Sequence, residues 1–428
     1  MRAALWLLGL FAVAVAVALF AGNNQGTITV FWPPYRIDLS LNLVLLVVLA
    51  TFVALHVALR ALAALLEMPG QARRWRAQQK ERATHAALLD AVGHLLAGRF
   101  IRSRKAALTA LAREKALGAS GERLGHAVQL RALAHLVAAE SAQALQDKAS
   151  REEHLQQALA HTAGRGVPAE QEIREGTQLR AARWALDERD VQASLAWLDA
   201  MPQGAQRRTL ALRIRLKAAR LARQTNVALE TARLLAKHRA FSPAAAQSLV
   251  RGLLSDLIQG AHDPAQLQRV WAGLDMSERQ MPDVAIQAAQ RLMALHGESA
   301  IARAWLLPVW DRSLEEPDAL TEVQRVKLVL ALEAGLATGD DATDRDWLAR
   351  IEVAQQRHPR DAGLQYLAGM ACMKRQLWGK AQQLLSQAAS ALADPGLRAS
   401  TWRSLAELAE QRGDAAGAAQ AWKMAAKG

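Results

Sequence analysis

The first 66 residues contain two long runs of apolar residues, whereas the rest of the chain mixes apolar and polar positions. The first run covers residues 3–22 and has no charged side chain, and the second covers residues 39–66. A helix needs about 20 consecutive apolar residues to cross the hydrocarbon core of a bilayer. The pattern therefore predicts two transmembrane helices, 3–22 and 39–66, within a membrane anchor over residues 1–66.

A cleavable signal peptide is the alternative for the first run. Arg2 is the only basic residue before it, and residues 19–22 make a poor small-residue cleavage site. The run also exceeds the ~7–15 apolar residues of a usual signal sequence. We therefore predict a retained helix.

The short loop between the two runs, residues 23–38, has its own pattern. Two β-prone pieces flank the turn at Pro33-Pro34, and Trp32 and Tyr35 stand on either side of it. The loop could act as a sensor outside the membrane or as an aromatic anchor between two helices, and its aromatic side chains favour the anchor.

From about residue 82 onward, strong helix formers dominate the chain, and Gly and Pro recur at intervals of tens of residues. The last two segments share one spacing, displaced by 37 residues, with small residues at the centre of a first helix and the start of a second. We expect the positions that pack in these repeats to be Gly369, Ala381, Leu385, Ala388, Trp402, Ala406, Ala418, Trp422 and Ala425.

The spacing resembles the tetratricopeptide repeat, a pair of helices with a period of about 34 residues. It is clearest at 362–394 and 399–428. Weaker matches include Ala91, His94, Gly98, Phe100, Ala107 and Ala110, then Ala139, Ala142, Gln146, Asp147, Leu155 and Ala158, then Ala182, Ala185, Asp190, Ser194 and Leu198. The predicted fold class is all-α, with two transmembrane helices followed by a tetratricopeptide-like α-solenoid over residues 82–428.

Charge next to the second apolar run predicts the orientation of the anchor. Residues 67–105, expected as a basic juxtamembrane helix, carry nine Lys and Arg residues against three carboxylates, +6 of the chain's net +13. Basic residues remain on the cytoplasmic side, so the loop is expected outside and the array in the cytoplasm. The residues expected to contact anionic lipid at the membrane surface are Arg73, Arg74, Arg76, Lys80 and Arg82.

The remaining composition excludes several classes of site. Cys372 is the only cysteine, which excludes an intramolecular disulfide and a cysteine metal cluster. The sequence pI of about 10.5 is typical of nucleic-acid binding. No recognition motif for DNA or RNA accompanies it, however, and its densest basic stretch adjoins the membrane, so we predict no nucleic-acid partner.

Catalytic and metal-binding motifs are also missing. There is no phosphate-binding Gly-Lys-Ser/Thr loop, no His-Glu-x-x-His and no Gly-x-Ser-x-Gly. His126 with His135, or His154 with His161, could meet only through the fold, so we expect ordinary surface histidines. His56 is an ionisable residue within an apolar run, and it is either a haem ligand or a side chain that reaches the membrane surface. We predict no enzyme activity, no metal and no bound cofactor.

The order of parts resembles the HemY proteins of proteobacteria over essentially the full length. The segments that carry the resemblance are 22–30, 35–38, 96–100 and 138–143. It implies an inner-membrane protein associated with haem synthesis, with a HemY N-terminal domain and C-terminal tetratricopeptide repeats. A flavin-dependent protoporphyrinogen oxidase shares the name, but this chain lacks that enzyme's Gly-x-Gly-x-x-Gly.

The resemblance implies a role late in tetrapyrrole synthesis and gives no catalytic residue. We expect a multi-pass protein of the bacterial inner membrane that gathers proteins, among them haem-biosynthesis enzymes, on a cytoplasmic helical-repeat surface, with membrane lipids as further partners. One alternative is a carrier or regulator that binds haem or another porphyrin directly. Another is a general assembly factor for envelope proteins, unrelated to haem.

Overall fold

The computed structural model of this chain describes residues 11–18, 22, 25–121, 124–164, 167–336 and 342–427, without the side chains of 64–74, 317 and 342–344. The chain divides into two compact units, Met1–Thr177 and Gln178–Gly428. Each unit is described by itself below.

A small β-hairpin precedes the long second apolar run. Strands β1 (Thr27–Trp32) and β2 (Tyr35–Ser40) pair antiparallel, from Thr27 opposite Ser40 to Trp32 opposite Tyr35. The turn is Pro33-Pro34, which is joined by a cis peptide bond. The two β-prone pieces around a Pro-Pro turn are therefore confirmed, and apart from them the elements in the described part of the chain are helices.

Helix α1 (Leu41–Leu96) follows directly and is 56 residues long, or about 84 Å at 1.5 Å per residue. It begins where the Ser40 hydroxyl accepts a hydrogen bond from the Leu43 N–H at 3.3 Å. Its first 23 residues, Leu41–Ala63, are long and apolar enough to span a bilayer. The predicted second span, 39–66, thus starts two residues later than expected, because Leu39 and Ser40 belong to β2.

The structure gives one candidate span where the sequence predicts two. Leu41–Ala63 is the only helix in the described ranges that has the required length and composition. The predicted first span, 3–22, lies mostly outside the described residues. Of that stretch the structure describes residues 11–18 as helix and residue 22.

The first unit continues with helices that pack in consecutive hairpins. Its small apolar core includes Ala91, Ala107, Val137 and Ala138. The stretch 67–105, expected as one helix, is divided by a turn, because α1 ends at Leu96. After α1 the helices are α2 (Phe100–Ala119), α3 (Ala127–Ala144), α4 (Lys148–His161) and α5 (Pro168–Asp187), the last of which extends into the second unit.

The second unit contains the largest core, with fully buried residues such as Leu254, Leu306 and Leu385. Its first helices are α6 (Val191–Asp199), α7 (Gln203–Gln206), α8 (Thr209–Leu221), α9 (Thr225–Lys237), α10 (Pro243–Gln259), α11 (Pro264–Ala272), α12 (Met276–Arg279) and α13 (Pro282–Ala294). The later ones are α14 (Ser299–Glu315), α15 (Glu322–Ala334), α16 (Ala342–Arg357), α17 (Ala362–Lys374), α18 (Trp378–Ala391), α19 (Pro395–Gln411) and α20 (Ala415–Lys427), with a 3-10 turn at Pro317–Ala319.

One turn recurs between paired helices. The residue two positions after the end of the first helix has a positive φ, and the N–H of the residue that follows it donates to the carbonyl five positions earlier, at 2.8–3.0 Å. This is the Schellman arrangement, which satisfies the last carbonyls of a helix. The left-handed residues are Gly98, Gln146, Arg189, Arg223, Arg239, His296, Gln376 and Gly413.

These turns explain the internal similarity in the sequence. Gln376 and Gly413 are 37 positions apart, and they occupy the same place in the hairpins α17–α18 and α19–α20. The three weaker matches also lie on hairpins, at the turns of Gly98, Gln146 and Arg189. The chain is therefore mainly α-helical and built from helical hairpins, and the observed last two run over 362–391 and 395–427.

Small residues stand at two fixed places around five of these turns, seven positions before the left-handed residue and five after it; the turns are those at Gly98, Arg189, Arg239, Gln376 and Gly413. Around Gln376 these are Gly369 and Ala381, and a Cβ added to Gly369 would lie 2.7 Å from Leu385 Cδ2. In two other hairpins the later position is a buried serine that donates to the carbonyl of the earlier residue. These bonds are Ser103 Oγ to Ala91 O and Ser194 Oγ to Ala182 O, both 2.8 Å.

We predict that Ala381→Leu and Ala418→Leu destabilise the chain by about 1–3 kcal/mol each, because added methylenes overpack a close helix contact. Ala381 is fully buried and Ala418 nearly so. Ala419→Leu makes the same change at an exposed position of α20 and should leave the melting temperature unchanged. If Ala381→Leu and Ala418→Leu both melt at the same temperature as the parent, this repeat register is wrong.

We also predict opposite effects of alanine at two glycines. Gly413 has φ +77°, where a residue with a Cβ costs about 1–2 kcal/mol, so Gly413→Ala should lower the melting temperature. Gly252 lies in the interior of α10 with open space beside it, so Gly252→Ala should stabilise the helix by about 0.5–1 kcal/mol. Equal shifts in the two thermal unfolding curves would contradict the left-handed turn.

Candidate interaction sites

A groove of about 850 Å³ opens between helices of the second unit. Its walls come from α14, α15 and the first turns of α17 and α19. The buried apolar side chains at its base are Trp310, Leu328, Val329, Leu364 and Leu397. A concave surface of this size, lined by both apolar and polar side chains, suits a short peptide segment of a partner.

Charged side chains form the rim of this groove. Arg325, His358 and Arg360 lie on it together with three carboxylates. Two of these carboxylates are engaged as helix caps, since Asp361 accepts from the Leu364 N–H at 3.0 Å and Asp394 accepts from the Leu397 N–H at 2.8 Å. The rim therefore offers charged contacts around an apolar floor, the arrangement found in protein interfaces.

A buried polar contact fixes two of the helices that form the groove. The Tyr366 hydroxyl on α17 donates to Glu333 Oε2 on α15 at 2.7 Å. Burial raises the pKa of the Glu333 carboxyl, and burial together with the nearby Glu333 raises the pKa of Tyr366. A hydrogen bond between partly desolvated groups is costly to break, so it holds α15 and α17 in a fixed relation.

Three histidines meet in the first unit. The Nδ1 atoms of His135 on α3 and His154 on α4 are 3.2 Å apart, so the Nδ1–H of one ring donates a hydrogen bond to the Nδ1 of the other. The ring of His161 stacks on His135 with centroids 5.5 Å apart and an interplanar angle of 25°. All three rings are half-buried. We call this group the histidine cluster.

Electrostatics keep the histidine cluster neutral near neutral pH. Burial, followed by the neighbouring His154, His161 and Arg131, lowers the pKa of His135 to about 4. Burial is also the largest cause that lowers the pKa values of His154 and His161. Within the described residues no group of three or more His, Cys, Asp or Glu side chains is arranged to hold a metal ion.

The histidine pairs that the sequence suggested were different, and the contact between His135 and His154 was not among them. His135 and His154 are 19 positions apart on different helices, and only the Schellman turn at Gln146 brings those helices together. His126, expected as a possible neighbour of His135, is exposed at the start of α3. Spacing within one helix gives no signal of such a contact.

The residues expected at the membrane lie along α1. His56 is exposed on the candidate span, and Arg76, Lys80 and Arg82 are exposed beyond its end. The side chains of Arg73 and Arg74 lie outside the described residues. The structure does not bring His56 together with the histidine cluster, which belongs to α3 and α4.

The residues expected to pack in the last two repeats differ in burial. Ala381, Leu385, Ala388 and Ala406 are fully buried, and Gly369 is closely packed on Leu385. Ala418 is also buried, and Trp402 and Ala425 are half-buried. Trp422 is 40% exposed, and its indole N–H donates to Glu410 Oε1 at 2.8 Å. Cys372 is buried between these helices, and burial raises the pKa of its thiol.

Comparison with known proteins gives a family match for the first part of the chain. Residues 26–146 match the family model described as HemY protein N-terminus, so the chain carries a HemY N-terminal domain, as the sequence resemblance predicted. No curated protein sequence matches the chain.

Two solved structures are similar to the chain. One is the crystal structure of the P58(IPK) TPR domain, with 14% identity, a TM-score of 0.22, and coverage of 77% of this chain and 99% of that chain. The other is Naa15/Naa10 bound to HypK-THB, with 12% identity, a TM-score of 0.23, and coverage of 79% of this chain and 58% of that chain.

We predict that the histidine cluster makes stability depend on pH. The pKa values of its members lie below the ordinary 6.5 in the folded chain, so the unfolded chain binds more protons between about pH 6.5 and 4. The free energy of unfolding should therefore fall as the pH is lowered through that window. His135→Gln should give a shallower fall in melting temperature, measured by circular dichroism in detergent.

The matched control for this experiment is His126→Gln, which changes an exposed histidine outside the histidine cluster. It should keep the pH dependence of the parent. If the melting temperature of His135→Gln falls with decreasing pH as steeply as that of the parent, the histidine cluster does not control the pH dependence of stability.

Proposed function

We propose that this chain, which carries a HemY N-terminal domain, is a non-enzymatic scaffold of late porphyrin and haem synthesis at the bacterial inner membrane. In this proposal its helical hairpins form a tetratricopeptide-like solenoid that binds haem-biosynthesis enzymes on the cytoplasmic side. In this proposal residues 3–22 form a further transmembrane helix before Leu41–Ala63, which makes the protein multi-pass.

The observation that carries this proposal is the continuity of α1. The candidate span Leu41–Ala63 and the core residue Ala91 belong to the same helix. Beyond the span the helix runs for about 50 Å before it ends at Leu96. The first helical hairpin is therefore joined to the anchor by regular helix, so binding to the membrane also positions the beginning of the repeats.

The charge of residues 67–105 supports a cytoplasmic repeat domain. This stretch carries +6 directly after the span, and basic residues next to a span remain on the cytoplasmic side. Arg76, Lys80 and Arg82 are exposed there. In this proposal they contact anionic headgroups together with Arg73 and Arg74, and each contact contributes about 1 kcal/mol to membrane association.

The groove in the second unit supports the partner-binding part of the proposal. Its apolar floor and charged rim suit a protein segment, and four helices hold it in shape. Proteins bound there would be confined near the bilayer, which raises their effective concentration without any further contact. Poorly soluble porphyrins would then travel a short distance from one enzyme to the next.

We test the scaffold by measuring porphyrin build-up in cells that carry single variants. Deletion of residues 1–66 removes the anchor, and Val326→Glu places a carboxylate in the groove. Both should cause porphyrin to accumulate, because one removes proximity and the other removes binding. Val323→Glu on the same helix α15 is the matched control, since Val323 is 64% exposed and lies outside the groove lining.

The variant His56→Ala separates the scaffold from a direct tetrapyrrole carrier. The scaffold requires normal haem output from this variant, whereas a carrier that uses His56 as a ligand requires a loss similar to that of the anchor deletion. Normal output from both the anchorless and the Val326→Glu variants would contradict a membrane scaffold and favour a role unrelated to haem.

A further inference from the structure

The pairing of β1 with β2 places six apolar side chains on one face of the hairpin. Residues directly opposite each other in an antiparallel pair lie on the same face, and alternate residues of a strand share it. The pairs Ile28–Leu39, Val30–Ile37 and Trp32–Tyr35 therefore form one continuous face. We call it the apolar face.

The opposite face of the hairpin is polar. It carries the pairs Thr27–Ser40, Thr29–Asp38 and Phe31–Arg36. The Thr29 hydroxyl donates to Asp38 Oδ1 at 2.5 Å, and the same oxygen lies 3.4 Å from Arg36 Nε. Phe31 is the exception in this set, and the Arg36 guanidinium lies over its ring at 5.7 Å. We call this the polar face.

From this division we infer that the apolar face lies on the lipid surface of the outer leaflet, next to the end of the span. Trp32 and Tyr35 at the tip are 72% and 70% exposed in the chain alone. A two-stranded hairpin is marginally stable in water unless its apolar side packs on another apolar surface. A bilayer covers all six side chains at once.

The position of the hairpin selects lipid as the occupant. Its base is fixed to the start of the span, because the Leu41 N–H donates to the Gly26 carbonyl at 2.9 Å and Ser40 caps α1. Thr27 and Ser40 are therefore held at the edge of the hydrocarbon core, and the apolar face begins one pair later. This step rests on the proposed function, because it requires that Leu41–Ala63 crosses the bilayer.

This placement would put Trp32 and Tyr35, at the tip of the hairpin, where the membrane meets water, and their side chains suit that depth. Trp and Tyr have an apolar body with one polar group, and they are enriched where membrane meets water. Arg36 and Asp38 remain on the face turned away from the lipid, where their charges stay hydrated. The hairpin would thus lie on the membrane surface as an amphipathic element, by the same principle as an interfacial helix.

The test uses the full chain in phosphatidylcholine–phosphatidylglycerol vesicles, with Cys372→Ala as background and one fluorescent NBD label per variant. Val30→Cys and Ile37→Cys place the label on the apolar face, and Thr29→Cys and Asp38→Cys place it on the polar face at adjacent positions. Spin-labelled lipids should quench the apolar-face labels several-fold more than the polar-face labels.

A label at Leu49→Cys within the span separates a failure of the lipid contact at the apolar face from a failure of the span itself. Strong quenching at Leu49 without a difference between the two faces would overturn the lipid contact but leave the anchor intact. Shielded emission at Val30 and Ile37 without lipid quenching would also overturn it, because a protein or a second copy would then cover the apolar face. Weak quenching at Leu49 would contradict the span, and with it the proposed function.

Discussion

The fold depends on how closely the two helices of each hairpin approach. Gly369 shows the constraint directly, because a single added carbon would lie 2.7 Å from the side chain of Leu385. At the equivalent places in the hairpins that turn at Gly98, Arg189 and Gly413 the chain has Ala or Ser, and the buried serines satisfy their hydroxyls on the facing backbone. A Schellman turn sets the geometry each time, since it ends the first helix and starts the second within a few residues.

The sequence predicted the hairpins at the turns of Gly98, Gln146, Arg189, Gln376 and Gly413. It did not match a repeat to the turns at Arg223, Arg239 and His296. At Arg223 and His296 a large side chain, Leu216 or Ile301, occupies one of the two places that hold small residues elsewhere. A glycine at such a turn is a visible signal, whereas a residue with a side chain is not, and its strain of about 1–2 kcal/mol is offset only by the packing of the whole hairpin. Proline was also an incomplete guide, because Pro308 lies inside α14, whereas Pro243 and Pro395 start helices.

The candidate sites were harder to predict than the fold, because each combines residues from several helices. Leu364 lies within the predicted repeat 362–394, but the sequence could not show that the helices leave a groove above it. The histidine cluster likewise depends on two helices that a left-handed glutamine joins. The β-hairpin of β1 and β2 was easier to predict. Its alternation of apolar and polar residues is local, so the sequence was sufficient to predict both strands and the turn.

In the proposed scaffold, the membrane imposes a different constraint at the N-terminal end. Backbone groups in a bilayer must be paired within the chain, and a helix does this without a partner. The candidate span Leu41–Ala63 can therefore continue beyond the bilayer as α1 without a break, and α1 ends as the first half of a helical hairpin. The HemY match covers this part, from the hairpin to the turn at Gln146, and it stops well before the groove. In terms of the proposed scaffold, the segment that defines the family is the one that holds the array at the membrane. Recognition of partners would then lie in later hairpins, whose grooves can differ without any change in the anchor.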